Sequence, residues 1–256
     1  MKLLIIPLFL FVLNNPAFAN DASLKTEYEN SCSVEDSVQK AALEKSNIID
    51  LVRRHINEDF ELPETISIKL TCANEDGDYG PYYDPQTREI VMPYSFRRYV
   101  LDELKLQEYA EKNDELQTVA DDIVLHTIYH ELGHAFVDIL NIPITGKEED
   151  AVDELSTFLL LSDYDDGDEV SISAADFFDI ESLQEDEITE DRLFGEHSLD
   201  EQRFFNILCF VYGENPAQRS NLLDGLDIEE GRAEMCVEDF ERRSQAWQQL
   251  LAPYTK

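Results

Sequence analysis

The chain has 256 residues, with 56 Asp and Glu against 20 Lys and Arg and a formal net charge of −36. An acidic excess of this size argues against nucleic acid and anionic membrane surfaces as partners, because both would repel it. It is compatible with cationic substrates and with plain solubility, and the length suits one domain with a sizeable core.

Residues 1–19 read as a secretory signal peptide. They hold one Lys, an apolar run to Leu13 too short to span a bilayer, and Ala17-Phe18-Ala19 as a cleavage site. No Cys sits at the cleavage point, so no lipid anchor is expected, and no later segment is long and apolar enough to insert in a membrane. The expectation is a single domain over 20–256, exported to the periplasm or the extracellular space. Four cysteines, Cys32, Cys72, Cys209 and Cys236, allow three disulfide connectivities there. The favoured pairing is Cys209 with Cys236 and Cys32 with Cys72.

Ser33 or Asp36 caps an expected helix that runs through Val38, Ala42, Ile48, Ile49 and Val52 to Ile56. Thr65-Ile66-Ser67-Ile68-Lys69-Leu70 alternates apolar and polar residues as a half-buried strand does. A turn-rich loop covers 74–81. Tyr82-Tyr83-Asp84-Pro85 then leads into a second strand, Glu89-Ile90-Val91-Met92, stopped by Pro93. Flanking prolines make an edge position the easier one for that strand. It could bind an extended peptide by strand addition or lie inside the sheet.

Helical patterns follow over 94–113, 116–141 and 148–161, with Pro143 and Gly146 breaking the chain between the last two. The segment 163–191 carries no Lys or Arg. It reads as a solvated acidic excursion with one short helix over 174–183. Further helices are expected over 199–212 and 229–251. Strands first and helices after them indicate a mostly helical α+β fold.

His130-Glu131-Leu132-Gly133-His134 lies inside the longest helical pattern and matches H-E-x-x-H. At a spacing of four, both imidazoles leave one helix face and supply half of a tetrahedral zinc site. Glu131 sits where a carboxylate can take a proton from a water on the metal. A catalytic zinc needs a third protein ligand. The break at Pro143 and Gly146 lets the next helix fold back beside the first. Glu149 is the favoured third ligand, ahead of Glu148, Asp150 and Asp153. Asp153 shares a face with Glu149 and can accept the free N–H of a liganding histidine.

HELGH followed by Gly146-Lys147-Glu148-Glu149-Asp150-Ala151-Val152-Asp153 resembles the small gluzincins, the minigluzincin-like peptidases in which an E-x-x-x-D helix supplies the third ligand. More narrowly, the chain is similar to an exported bacterial family of metallopeptidases catalogued as a domain of unknown function. Tyr82-Tyr83-Asp84-Pro85, the 196–203 segment around His197 and the 205–213 segment around Cys209 carry that similarity. The resemblance implies a small antiparallel or mixed sheet packed on the HExxH helix and a glutamate-bearing helix. This chain has Pro93 where such proteins often carry Cys, which leaves the partner of Cys72 open.

His126 lies one turn before His130. A helical face drifts about 40° per four residues, so three successive histidines cannot aim at one metal, and a structural or supporting role is expected. His197 is the favoured donor to the oxyanion of a tetrahedral intermediate, with Tyr82 and Tyr83 as alternatives. Arg203 is expected to pair with Asp200 or with a substrate carboxylate. The sequence thus points to a zinc-dependent peptidase acting on peptides or proteins, with Zn2+ on His130, His134 and Glu149 and Glu131 as general base. The alternative is a non-catalytic exported binding protein that keeps zinc as a structural fastener, marked by a closed set of four ligands.

Overall fold

The computed structural model describes residues 22–31, 33–72, 80–184, 187–226, 228 and 231–256. Residues 1–19, Cys32 and most of the 74–81 loop lie outside them.

The described strands are β1 (Leu24–Tyr28), β2 (Ile66–Thr71), β3 (Tyr82–Asp84) and β4 (Glu89–Pro93), in the sheet order β1-β2-β4-β3. β1, β2 and β4 run parallel, and β3 closes antiparallel on β4. The alternation of β2 sends Ile66, Ile68 and Leu70 into the core, in register with Ile90 and Met92 of β4. β4 is therefore an inner strand, contrary to the edge position expected from its prolines. Pro93 is the last residue of β4 and the N-cap of the next helix, so its missing N–H costs the ladder little. β1 alternates weakly, with Lys25 and Glu27 exposed between Leu24, Thr26 and Tyr28. It is tied to the following helices by Asn57, whose side chain bonds both the N–H (2.8 Å) and the carbonyl (2.9 Å) of Leu24.

The helices are α1 (Val34–Ser46), α2 (Ile48–Asp59), α3 (Tyr94–Leu106), α4 (Asn113–Ile139), α5 (Glu148–Asp163), α6 (Gly167–Ser182), α7 (Glu190–Phe194), α8 (Asp200–Glu214) and α9 (Arg232–Leu251). Ser33 does cap α1, accepting the Asp36 N–H at 2.9 Å. The single helix expected through Ile56 is split at Asn47, which adopts a left-handed φ of 63°. Asn is among the few residues that tolerate this conformation.

α4 runs through the middle of the molecule. Its Leu125, Ile128, Leu132 and Phe136 share one buried core with Ile68, Leu70, Ile90 and Met92 of the sheet and Leu155 and Leu159 of α5. The acidic stretch is not a solvated excursion: α6 occupies most of its first half and buries Val170, Ala174, Ala175, Phe177 and Ile180. These residues recur at three- and four-residue steps and face α3, α4 and α8, while Glu169 and Asp179 face water. α8 and α9 are joined by the Cys209–Cys236 disulfide. Gly213 lets them approach closely, since a methyl group there would lie 2.3 Å from the Cys236 carbonyl oxygen. Cys72 is also disulfide-bonded. No described helix is long and apolar enough to cross a membrane.

Candidate metal centre

The site begins with a close approach. Gly133, between the two histidines of HELGH, faces α5: a methyl group on it would lie 2.8 Å from Val152 Cβ. The lack of a side chain there brings α5 against α4 and sets Glu149 and Asp153 opposite the histidine face. His130 and His134 leave that face with ring centroids 5.0 Å apart.

Glu149 Oε2 is the meeting point. His130 Nε2 lies 3.2 Å from it, His134 Nε2 3.3 Å and His197 Nε2 3.0 Å. This oxygen is buried, yet it has no hydrogen bond of acceptable geometry. Three imidazole nitrogens thus converge on one carboxylate oxygen. Donors about 2.0–2.1 Å from a tetrahedral zinc are about 3.3 Å from one another, close to the spacing here. Donor atoms of His130, Glu149 and His197 all lie within 4.8 Å of one another. These three could hold a metal ion, with His134 Nε2 beside them at 3.3 Å from Glu149 Oε2, and nitrogen and oxygen donors of this kind suit zinc.

The second nitrogen of each HELGH histidine is also held. His130 Nδ1 lies 2.7 Å from Asp153 Oδ1, and His134 Nδ1 lies 2.8 Å from Glu148 Oε1. Each carboxylate sits where it can accept the Nδ1–H, which turns Nε2 toward Glu149. Asp153 is gripped in turn by Arg203, whose Nε and Nη2 donate to its two oxygens at 2.7 and 2.8 Å. The guanidinium carbon lies 3.8 Å from the centre of the Phe178 ring. Arg203 therefore pairs with Asp153 rather than with the expected Asp200. Asp150 is exposed and lines a different hollow.

Burial opposes ionisation of Asp153, but Arg203 and His130 hold its carboxyl well below the usual range. Glu149 is likewise opposed by burial and held low by the three imidazoles. Burial lowers His130, yet Asp153, by charge and hydrogen bond, and Glu149 outweigh it and push it up to about 10. Glu131 is buried, and burial raises its pKa against the pull of both imidazoles. The backbone of Tyr83 on β3 hydrogen-bonds its carboxylate.

His126 stands apart from this set. It is buried, faces Ser156 Oγ at 3.1 Å and is pushed down to about 3 by burial. The Tyr83 hydroxyl donates to Asp138 Oδ2 at 2.8 Å and is thereby engaged. Tyr82 is exposed at the cleft wall. The cleft measures about 500 Å³ and is lined by Tyr82, His130, Glu131, His134, Glu149 and His197, among others. His197 enters from the loop before α8, with its side chain half-exposed. Lys147, the N-cap of α5, ties that loop down by donating to the carbonyls of Gly195 (3.2 Å) and His197 (3.0 Å).

Sequence reasoning missed three of these contacts: Glu148 on His134, Arg203 on Asp153 and the Lys147 tether. The first had a signal, because two liganding histidines need two acceptors and the start of α5 is rich in acids. The other two span about fifty residues and leave no local pattern.

An HExxH helix whose imidazoles meet an acid from the following helix is the arrangement of a metallopeptidase. The chain belongs to the family described as "Putative metallopeptidase", whose sequence pattern matches residues 28–251. No curated protein and no solved structure matches the chain.

Proposed function

We propose that the protein is an exported zinc metalloendopeptidase of the gluzincin type, with His130, His134 and Glu149 as the metal ligands. The observation that carries this reading is the buried, unbonded Glu149 Oε2 facing the Nε2 atoms of both HELGH histidines. Bound zinc would polarise a peptide carbonyl and make a water acidic enough to lose a proton near neutral pH.

The rest falls to side chains. Glu131, raised by burial and facing the cleft, takes the proton of the attacking water and passes it to the leaving amine. Asp153 and Glu148 fix the tautomers of His130 and His134, and Arg203 keeps Asp153 ionised and in place. His197, which lines the same cleft as Glu131, donates to the oxyanion. Export is supported by the leader pattern of residues 1–19 and by the Cys209–Cys236 disulfide.

The test is Glu131→Gln. The variant is expected to bind one zinc per chain and to lose peptide hydrolysis by at least about 10³-fold. A variant that cleaves a peptide library as fast as wild type would falsify the assignment of the base.

One observation favours the alternative of a structural zinc in a binding protein. His197 Nε2 lies as close to Glu149 Oε2 as the other imidazoles do, and a fourth protein ligand would close the site. Metal content and turnover of a His197 variant separate the two readings.

A further inference from the structure

A second, smaller cavity of about 160 Å³ adjoins the metal cleft. The two share His130, Glu131 and His197. Phe96 from α3, Ile123 from α4, and Ala174, Phe177 and Phe178 from α6 form an apolar stretch of its wall, beside His126 and Thr127 of α4. Two charged residues, Glu181 and Arg203, line both this cavity and an outer hollow of about 410 Å³ that also contains Glu196, Asp200 and Arg192, the last paired with Asp200 at 3.8 Å. The small cavity thus links the reacting centre to a charged outer hollow.

The two charged residues are not equivalent. Arg203 is already committed, with two nitrogens on Asp153 and its face on Phe178. Glu181 has only a neutral donor, the Tyr99 hydroxyl at 3.1 Å, and among the described residues no cation lies within salt-bridge range of it. Burial raises Glu181 to about 6, with Asp200 and Glu103 adding to the rise and the Tyr99 hydrogen bond and the charge of Arg203 opposing it. Arg203 acts on Glu181 only from beyond salt-bridge range, so this half-buried carboxylate has no direct ion pair, and a substrate cation can supply one.

We propose that this cavity is a side-chain pocket selecting lysine or arginine in the substrate, with the methylene stem against Phe177 and Phe178 and the cationic head at Glu181. This assignment rests on the peptidase reading of the neighbouring site. Long cationic side chains suit such a pocket because their stems bury well while their heads require a partner. An opposite charge at the end of an apolar slot discriminates more strongly than one extra methylene does. The net charge of −36 acts in the same direction by steering cationic peptides toward the surface.

The experiment compares two peptides that differ at one position, lysine against its uncharged counterpart norleucine. The zinc-loaded wild type is expected to favour the lysine peptide in kcat/KM by about tenfold or more, and Glu181→Gln is expected to bring that ratio to about one. Binding of the same peptides to Glu131→Gln and to the Glu131→Gln, Glu181→Gln double variant, measured by calorimetry, gives a readout that needs no turnover. Equal handling of both peptides by wild type, or a lysine preference that survives loss of Glu181, overturns the pocket. Glu181-dependent binding of the lysine peptide by a protein that hydrolyses nothing upholds the pocket and removes the peptidase reading instead.

Discussion

The two sides of the metal cleft are built differently. On one side α4 and α5 form a hairpin whose contact is fixed by backbone: Gly133 admits Val152, and every donor on these helices follows from that contact. On the other side His197 and Arg203 come from the segment before and within α8. They are held by Lys147, Asp153 and the Phe178 ring rather than by a backbone fit. The hairpin sets where the donors are, and the far side sets what they can do. Damage to the first should remove the metal, whereas damage to the second should alter turnover while the metal stays.

The largest effect is expected at Gly133. Gly133→Ala should push α5 away from α4 and cost both stoichiometric zinc and about 10²-fold or more in hydrolysis. The same substitution at Gly146, where an added methyl meets nothing within 4 Å, should leave both intact. Equal zinc content in the two variants, read by elemental analysis, would mean that the hairpin contact does not set the site.

His197→Ala probes the opposite wall. An oxyanion donor predicts a loss of about 10²–10³ in kcat with zinc retained. Loss of zinc together with turnover would instead make His197 a ligand and favour the structural alternative. Asp153→Asn lies between the two regions, because it touches His130 on α4 and Arg203 on α8. It should weaken zinc by about 10–100-fold, measured by competition with a chelator. Unchanged affinity would show that Asp153 does not set the tautomer of His130.

The smallest effect concerns stability outside the cleft. Asp122 on α4 bonds Ser173 of α6 and is pushed up to about 6 by burial, against an ordinary 3.8. Its folded-state pKa is raised, so its contribution is fully present below about 4 and is lost as pH rises through 6. Asp122→Asn should therefore gain on wild type by about 1–2 kcal/mol between pH 4 and pH 7. Thermal unfolding curves that stay parallel over that range would contradict this.

The hairpin was readable in the sequence because its information is local. His130, Glu131, Gly133, His134, Glu149 and Asp153 lie within twenty-four residues at helical spacings, and the intervening Pro143 and Gly146 announce the turn. The far side was not readable for two physical reasons. Arg203 has an acidic neighbour one turn away in Asp200, so local spacing suggests the wrong partner. The buried Asp153, already engaged by His130, offers the guanidinium two oxygens at once. Composition also misled: the acids of 163–191 hide the apolar face of α6, although Val170, Ala174 and Phe177 keep helical spacing. β4 was misplaced because its prolines flank the ladder rather than interrupt it, and the split at Asn47 depends on a left-handed residue that periodicity does not register.

The central claim is that α4 and α5 hold one metal ion between them. Anomalous diffraction at the zinc edge, from crystals of the protein grown with one equivalent of zinc, tests it most directly. The account predicts a single strong peak about 2.0–2.2 Å from His130 Nε2, His134 Nε2 and Glu149 Oε2. A peak elsewhere, or none at these three atoms with zinc present, would contradict it.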